Sequence, residues 1–217
     1  GHIIEAIKRL AMAHPSIGFT LNNGDRDLLR LAPAQGDFLD SCLERLGVIM
    51  GRDFAENAIA INAEREGILL SGHAGLPTLN RGNAQMQFLF VNGRPVRDKL
   101  FYGALRGAYR DFLASDRYPM VALFLEVPAE NLDVNVHPAK TEVRFSDAAL
   151  VRGLIVGAVK QGLAEAGHRA STTIADSALA AVQPGSLTLG RRSKISPSYG
   201  INGHVNPDLA NQAQSFF

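Results

Sequence analysis

Tryptophan is missing from the 217 residues and only 7% are aromatic, so aliphatic side chains must fill most of any core. The one cysteine, Cys42, excludes an intramolecular disulfide and a cysteine-only metal cage. It lies with Leu39, Leu43 and Leu46 in an apparent helix, where a thiol is expected to be buried and structural. Neither charge sign prevails. The 22 basic and 21 acidic residues leave +1, so net charge points to no partner and only local patterns can. No run approaches the ~18 apolar residues of a membrane span, and no signal peptide is visible. A reducing, cytoplasmic setting with no membrane partner is the expectation.

Catalytic patterns are missing too. There is no G-x-x-x-x-G-K-[ST] phosphate loop and no G-x-G-x-x-G after a strand. There is no H-x-x-x-H or C-x-x-C zinc spacing and no G-x-S-x-G elbow. The six histidines are scattered. No metal site and no freestanding enzyme are expected.

What is present is a well-patterned globular chain, 46% hydrophobic. Residues 3–13 carry Ile3, Ile4, Ile7, Leu10 and Ala11 at helical spacing, and Pro15 stops them. Asn23-Gly24 is a hairpin signal between 17–22 and 25–31. Asp37 is expected to cap a helix to about Ile49, with Gly51 as its stop. Ala58–Ala63 and Gly67–Gly72 read as a second hairpin, and 85–91 as a strand bounded by Asn92-Gly93. A helix is expected from Lys99 to about Ala114, burying Leu100, Ala104, Ala108, Phe112 and Leu113. Met120–Val127 is almost continuously apolar, which reads as a central strand. Asp133–His137 and Thr141–Phe145 read as short strands, and Ser146 as the cap of a helix to about Ala166. From Gly167 the composition shifts to Ala, Ser, Gly, Asn, Gln and Pro, so 168–217 reads as an interdomain linker, with Ile174–Val182 a marginal helix. The expected class is α+β, with helices stacked on one face of a two-layer sheet.

Two stretches could carry chemistry. In Asn135-Val136-His137-Pro138-Ala139-Lys140, Pro138 stiffens a turn between short strands and presents Lys140 as a positioned point charge. That charge suits a terminal phosphate. Asn135 and His137 share the polar face of the incoming strand. The residues alone equally allow a solvated lysine in a tight turn. Between Arg94 and Arg117, six basic residues face three acidic ones, an excess of three in a chain whose total is +1. Lys99, Arg106 and Arg110 fall near one helical stripe, a pattern that can track a phosphate backbone. An ordinary solvated face is the alternative.

The run Phe88 to Asp98 resembles the FVNGR-x-[VI]-[RK]-D stretch of MutL-type DNA mismatch repair proteins. The run Asp133-Val134-Asn135-Val136-His137-Pro138-Ala139-Lys140-Thr141-Glu142-Val143-Arg144-Phe145 resembles their DVNVHP-[AT]-K-x-EVRF signature. The resemblance extends more loosely from Ile3 to about Ala166. It implies the second, transducer lobe of the N-terminal region of a GHKL ATPase, with a β-α-β fold like a ribosomal-protein domain. Residues 1–16 would then end the preceding ATP-binding lobe, 17–167 form the transducer domain, and 168–217 lead to an absent C-terminal domain. It further implies that Lys140 reaches the γ-phosphate of ATP, with Asn135 supporting it. Arg94, Lys99, Arg106 and Arg110 would line a groove for double- and single-stranded DNA. ATP and Mg²⁺ belong to the intact protein, whose partners would include a MutS-type mismatch-recognition protein and a second MutL subunit, at the nucleoid during repair. The fragment alone should not hydrolyse ATP. A plain nucleic-acid-binding module and a protein-interaction scaffold, both with a structural Lys140 loop, are the rival readings.

Overall fold

A computed structural model of the chain describes residues 2–133 and 143–181. The chain forms one compact unit through Ser177 and a second from Ala178, of which only the helical residues to Ala181 are described. The chain opens with α1 (His2–Ala13), the hairpin β1 (Phe19–Asn23) and β2 (Arg26–Leu31), then α2 (Phe38–Met50) and α3 (Arg52–Glu56). It continues with β3 (Ala58–Arg65), β4 (Ile68–Gly75), β5 (Asn80–Arg81), β6 (Gln87–Val91) and β7 (Arg94–Val96). α4 (Lys99–Tyr109), β8 (Tyr118–Pro119), β9 (Val121–Glu126), β10 (Leu132–Asp133), β11 (Arg144–Phe145) and α5 (Ala148–Ala181) complete it.

The main sheet has the order β3-β4-β9-β6-β7. β9 runs antiparallel to β4 and parallel to β6, with Leu89 opposite Leu123 and Phe90 opposite Phe124. The parallel pair needs a crossover, and α4 lies within it, so β6-α4-β9 is a β-α-β unit. The α+β class therefore holds, but helices cover both faces of the sheet and not one. Every side chain of β6, and all of β9 except Glu126, is buried. Strands that are apolar throughout need cover on both sides. On one face Leu89, Val91, Leu123 and Leu125 pack with Phe101 and Leu105 of α4 and Ile155 and Val159 of α5. On the other, Phe88, Phe90, Ala122 and Phe124 pack with Met12 of α1, Cys42 and Leu46 of α2 and Phe54 of α3.

Caps place the helices. Asp37 Oδ1 accepts from the N–H of Asp40 at 2.9 Å to start α2, and Gly51, at φ 111°, ends it. Asp98 Oδ1 accepts from the N–H of Leu100 at 2.7 Å to start α4. α5 is capped by Asp147, not by Ser146: Asp147 Oδ1 accepts from the N–H of Leu150 at 2.8 Å. The carboxylate is the stronger acceptor for an orphan N–H, and Ser146 Oγ instead reaches the carbonyl of Glu130 at 3.5 Å.

Other boundaries also move. α4 ends at Tyr109, and the turn that follows leaves Phe112 47% exposed, against the expectation that it is buried. In the first hairpin Asn23 pairs with Arg26, so the reversal falls on Gly24-Asp25, with only Gly24 at positive φ. α5 passes its expected end at Ala166 and runs to Ala181. Gly167 has no left-handed backbone. In helical conformation it costs about 1 kcal/mol relative to Ala, too little to stop an alanine-rich helix.

Gly72 of β4 lies close against β9: its φ is +128°, and a Cβ would sit 2.3 Å from the carbonyl oxygen of Ala122. Gly72→Ala is expected to cost more than about 2 kcal/mol, measured as a lower urea midpoint. A midpoint unchanged within error would mean that β4 and β9 can separate freely. Cys42 is fully buried, and burial pushes its thiol up to about 12. At pH 8 a thiol reagent should therefore label it only after urea unfolding; prompt labelling of the folded chain would contradict this packing.

Candidate nucleic-acid interface

α4 has two faces. Phe101, Ala104, Leu105 and Ala108 enter the core at 0–1% exposure. Lys99, Gly103, Arg106 and Arg110 form the exposed stripe that the helical spacing predicts. Tyr102 lies beside this stripe and is half-buried. Tyr109, 1% exposed, donates its hydroxyl to the carbonyl of Gly75 at 2.6 Å and ties α4 to β4. Burial pushes the Tyr109 phenol up, so it stays a donor.

Two adjacent hollows flank Tyr102. The first, of about 600 Å³, carries Arg106, Arg110 and Arg117 with Tyr109 and Tyr118. The second, of about 670 Å³, carries Lys8, Arg9 and Arg97, with Glu5 as its acid. Ala84, Gln87 and Tyr102 line both, so the two adjoin. Six cations thus border one furrow with one carboxylate.

These cations are little neutralised. Asp111 lies 4.0 Å from Arg110, but Lys160 holds it at 2.9 Å. The hydrogen bond from Lys160 is the main reason the Asp111 carboxyl lies below its ordinary range. Arg110 therefore shares an acid already taken. Among the described residues Arg106 reaches only the carbonyl of Ser115, at a long 3.5 Å. Arg117 is steadied by a neutral partner, its Nε donating to Asn80 Oδ1 at 2.6 Å. Arg9 stacks over the Phe88 ring at 4.9 Å. Burial, and next the charge of Arg97, hold its pKa below the usual arginine value, while Tyr102 and Glu5 oppose that. A phosphate here would offset both the cost of burial and the repulsion with its own negative charge.

The structure brings Arg106 and Arg110 together in the furrow. Arg94 and Lys99 are exposed, on β7 and at the start of α4, and line neither hollow. Lys140, Asn135 and His137 lie outside the described residues. The frame around them is described: Leu132 pairs with Phe145 and Asp133 with Arg144, closing the neck of 134–142. Among the described residues no group of three His, Cys, Asp or Glu could hold a metal ion. Sequence reasoning missed Lys8 and Arg9, which reach the furrow only because α1 packs beside β7. Arg97 and Arg117 were counted in the basic stretch but not singled out, since neither shares the helical stripe.

Asn92 fixes the chain where it leaves β9. It turns β6 into β7 at φ 48°, followed by Gly93 at 73°. Its Nδ2 donates to the carbonyl of Val127 at 2.9 Å, and its Oδ1 accepts from the N–H of Val127 at 2.8 Å. The amide thus replaces a strand residue where β9 leaves the sheet toward β10.

The fold and furrow define a layered α+β domain with a β-α-β unit and a basic face. A family model described as "DNA mismatch repair protein, C-terminal domain" matches residues 46–164. The MutL mismatch repair protein of Rhodospirillum rubrum is 60% identical over 183 residues, 84% of this chain and 29% of that protein. That of Phenylobacterium zucineum is 59% identical over 185 residues, 85% of this chain and 30% of that protein. The chain belongs to the DNA mismatch repair protein family, of the MutL type. It spans about 30% of the length of those curated relatives. A crystal structure of the N-terminal domain of a DNA repair protein shares the fold, with a TM-score of 0.60 at 17% identity over 76% of this chain and 53% of that one.

Replacing Asn92 with Ala removes both bonds to Val127 and strains the positive φ. Asn92→Gly removes only the bonds. The alanine variant should lose about 1–3 kcal/mol in urea unfolding and the glycine variant less. Equal losses would mean that the backbone conformation costs nothing.

Proposed function

We propose that this chain is the transducer part of a MutL-type repair protein, binding DNA without sequence preference and coupling that binding to ATP held by an upstream lobe. The observation that carries the DNA half is the pair of adjoining hollows lined by six cations and one carboxylate. Its arginines stand on α1, on and just after α4, and on the loops flanking β7 and β8, where phosphates of one strand could follow them, with no pattern of paired donors and acceptors to read bases. Phosphate neutralisation releases counterions, so affinity follows salt.

The coupling half rests on the DVNVHPAK resemblance. Lys140 supplies a cation to the terminal phosphate of ATP when the two lobes close, with Asn135 bracing the turn. A contact made only in the closed state favours that state by its differential affinity. ATP and Mg²⁺ would be held by the upstream lobe, and this chain alone would hydrolyse nothing. Closure would bring a second MutL subunit against the first and clamp DNA, in the cytoplasm and with a MutS-type partner.

Arg106→Glu should weaken binding of a short duplex about tenfold or more at low salt. It should also flatten the slope of log affinity against log salt by about one unit per lost phosphate contact, read by fluorescence anisotropy. An unaltered slope and affinity would favour the scaffold reading, in which the α4 face docks a protein. In the full-length protein, Lys140→Ala should lower ATP turnover by roughly tenfold or more, the loss expected of one charge-assisted bond. Unchanged turnover would leave Lys140 a structural residue.

A further inference from the structure

The hollow beside α4 is poorly suited to phosphate alone. Its charged groups are three guanidiniums at the border, while Leu113, Pro119 and the rings of Tyr102, Tyr109 and Tyr118 make its walls predominantly apolar. At about 600 Å³ it is large enough to take a planar ring system. A duplex laid across the furrow would meet the arginines with its phosphates. It would leave the apolar walls facing water, because its bases are stacked inside. A ligand that satisfies both parts must be flat and apolar at its centre and anionic at its edges. An unpaired nucleotide within a strand has that form, and aromatic walls with cationic borders are how base-stacking sites on single strands are built.

We infer that this hollow is a base socket: one unstacked base of single-stranded DNA enters between Tyr102 and Tyr118, and Arg106, Arg110 and Arg117 hold the phosphates on either side. The inference rests on the nucleic-acid reading above and adds to it a site for a base. Tyr109 forms part of the wall and is immobile, its hydroxyl fixed on Gly75. Asn80 fixes Arg117 without neutralising it. Among the described residues neither Arg106 nor Arg117 pairs with a carboxylate within 4.0 Å, and the one acid near Arg110, Asp111 at 4.0 Å, is held more closely by Lys160 at 2.9 Å. The second hollow, with Lys8, Arg9 and Arg97, continues the path for the strand's next phosphates.

Gly103 provides a test that spares every cation. It lies on the exposed stripe of α4 and lines this hollow. A Cβ placed there meets nothing within 4 Å. Gly103→Leu would fill the socket while raising helix propensity, so the variant should fold at least as well as the parent. The probes are an oligothymidylate strand and an abasic strand of equal length and charge, followed by fluorescence anisotropy with the whole chain. The parent should bind oligothymidylate about tenfold more tightly than the abasic strand. Gly103→Leu should bring oligothymidylate down to the abasic level. Equal binding of the two strands by the parent, with both weakened by Arg106→Glu, would overturn the socket and leave the phosphate track standing. A base preference that survives Gly103→Leu would place the base elsewhere and overturn it as well. Failure of the parent to bind either strand would remove the nucleic-acid reading together with the socket.

Discussion

A strand buried on both faces must be sealed from two sides, and β9 is the strand on which this domain turns. Its N–H and C=O groups are taken by β4 on one edge and β6 on the other. Its side chains alternate between two cores: Leu123 and Leu125 enter one, Ala122 and Phe124 the other. Once β9 is fixed, α4 and α5 have to lie on one face and α1, α2 and α3 on the opposite one. Gly72 allows β4 to come close enough for this pairing, since any Cβ would collide with the β9 backbone. The direction of the β6–β9 pair then demands a crossover, and α4 is that crossover. The position of the arginine-bearing helix is thus a consequence of strand burial, with no separate device needed to hold it.

Much of this was legible because it is local. Asp37 and Gly51 mark helix ends by their own chemistry, and both do so in the structure. The almost continuously apolar run 120–127 reads as a central strand, and that run does contain β9. Its implication of cover on both faces was not drawn, because the short apolar stretches of α1 and α2 do not state which surface they will meet. Ser146 against Asp147 was a choice between two good caps one residue apart, settled by which side chain faces the N–H of Leu150. Phe112 looked buried by helical spacing, but the helix had already ended at Tyr109, and spacing means nothing past the last helical residue.

The furrow shows the same division more sharply. Arg106 and Arg110 are four residues apart on one helix, so their common face could be read directly. Lys8 and Arg9 join them from nearly a hundred residues away, and only the packing of α1 beside β7 makes them neighbours. Lys99 shares the helical stripe yet sits at its first turn, beyond the hollow, because position along the helix axis matters as well as angle around it. The signature residues 134–142 were the most readable by resemblance. What the structure adds there is the frame: a paired neck from β10 and β11, and the Asn92 amide holding Val127 just upstream.

Assembling six cations along one furrow costs Coulomb energy, and the arrangement shows how that cost is contained. Most of these groups end in water, where charges farther apart than a Debye length of about 8 Å at physiological salt are screened. Arg9 is the exception, half-buried and close enough to Arg97 to feel its charge, and the Phe88 ring partly compensates it. Acids that could have neutralised the furrow are present in the chain but engaged elsewhere, Asp111 by Lys160 and Asp98 by the α4 N-terminus. The positive potential therefore remains available to an outside anion. Such an anion competes with only two weak surface pairs among the described residues, Lys8 with Glu5 at 3.4 Å and Arg110 with Asp111 at 4.0 Å, which offset little of the attraction. A chain with almost no net charge can in this way present one strongly basic face, because only Glu5 of its described acids lines the furrow, against six cations.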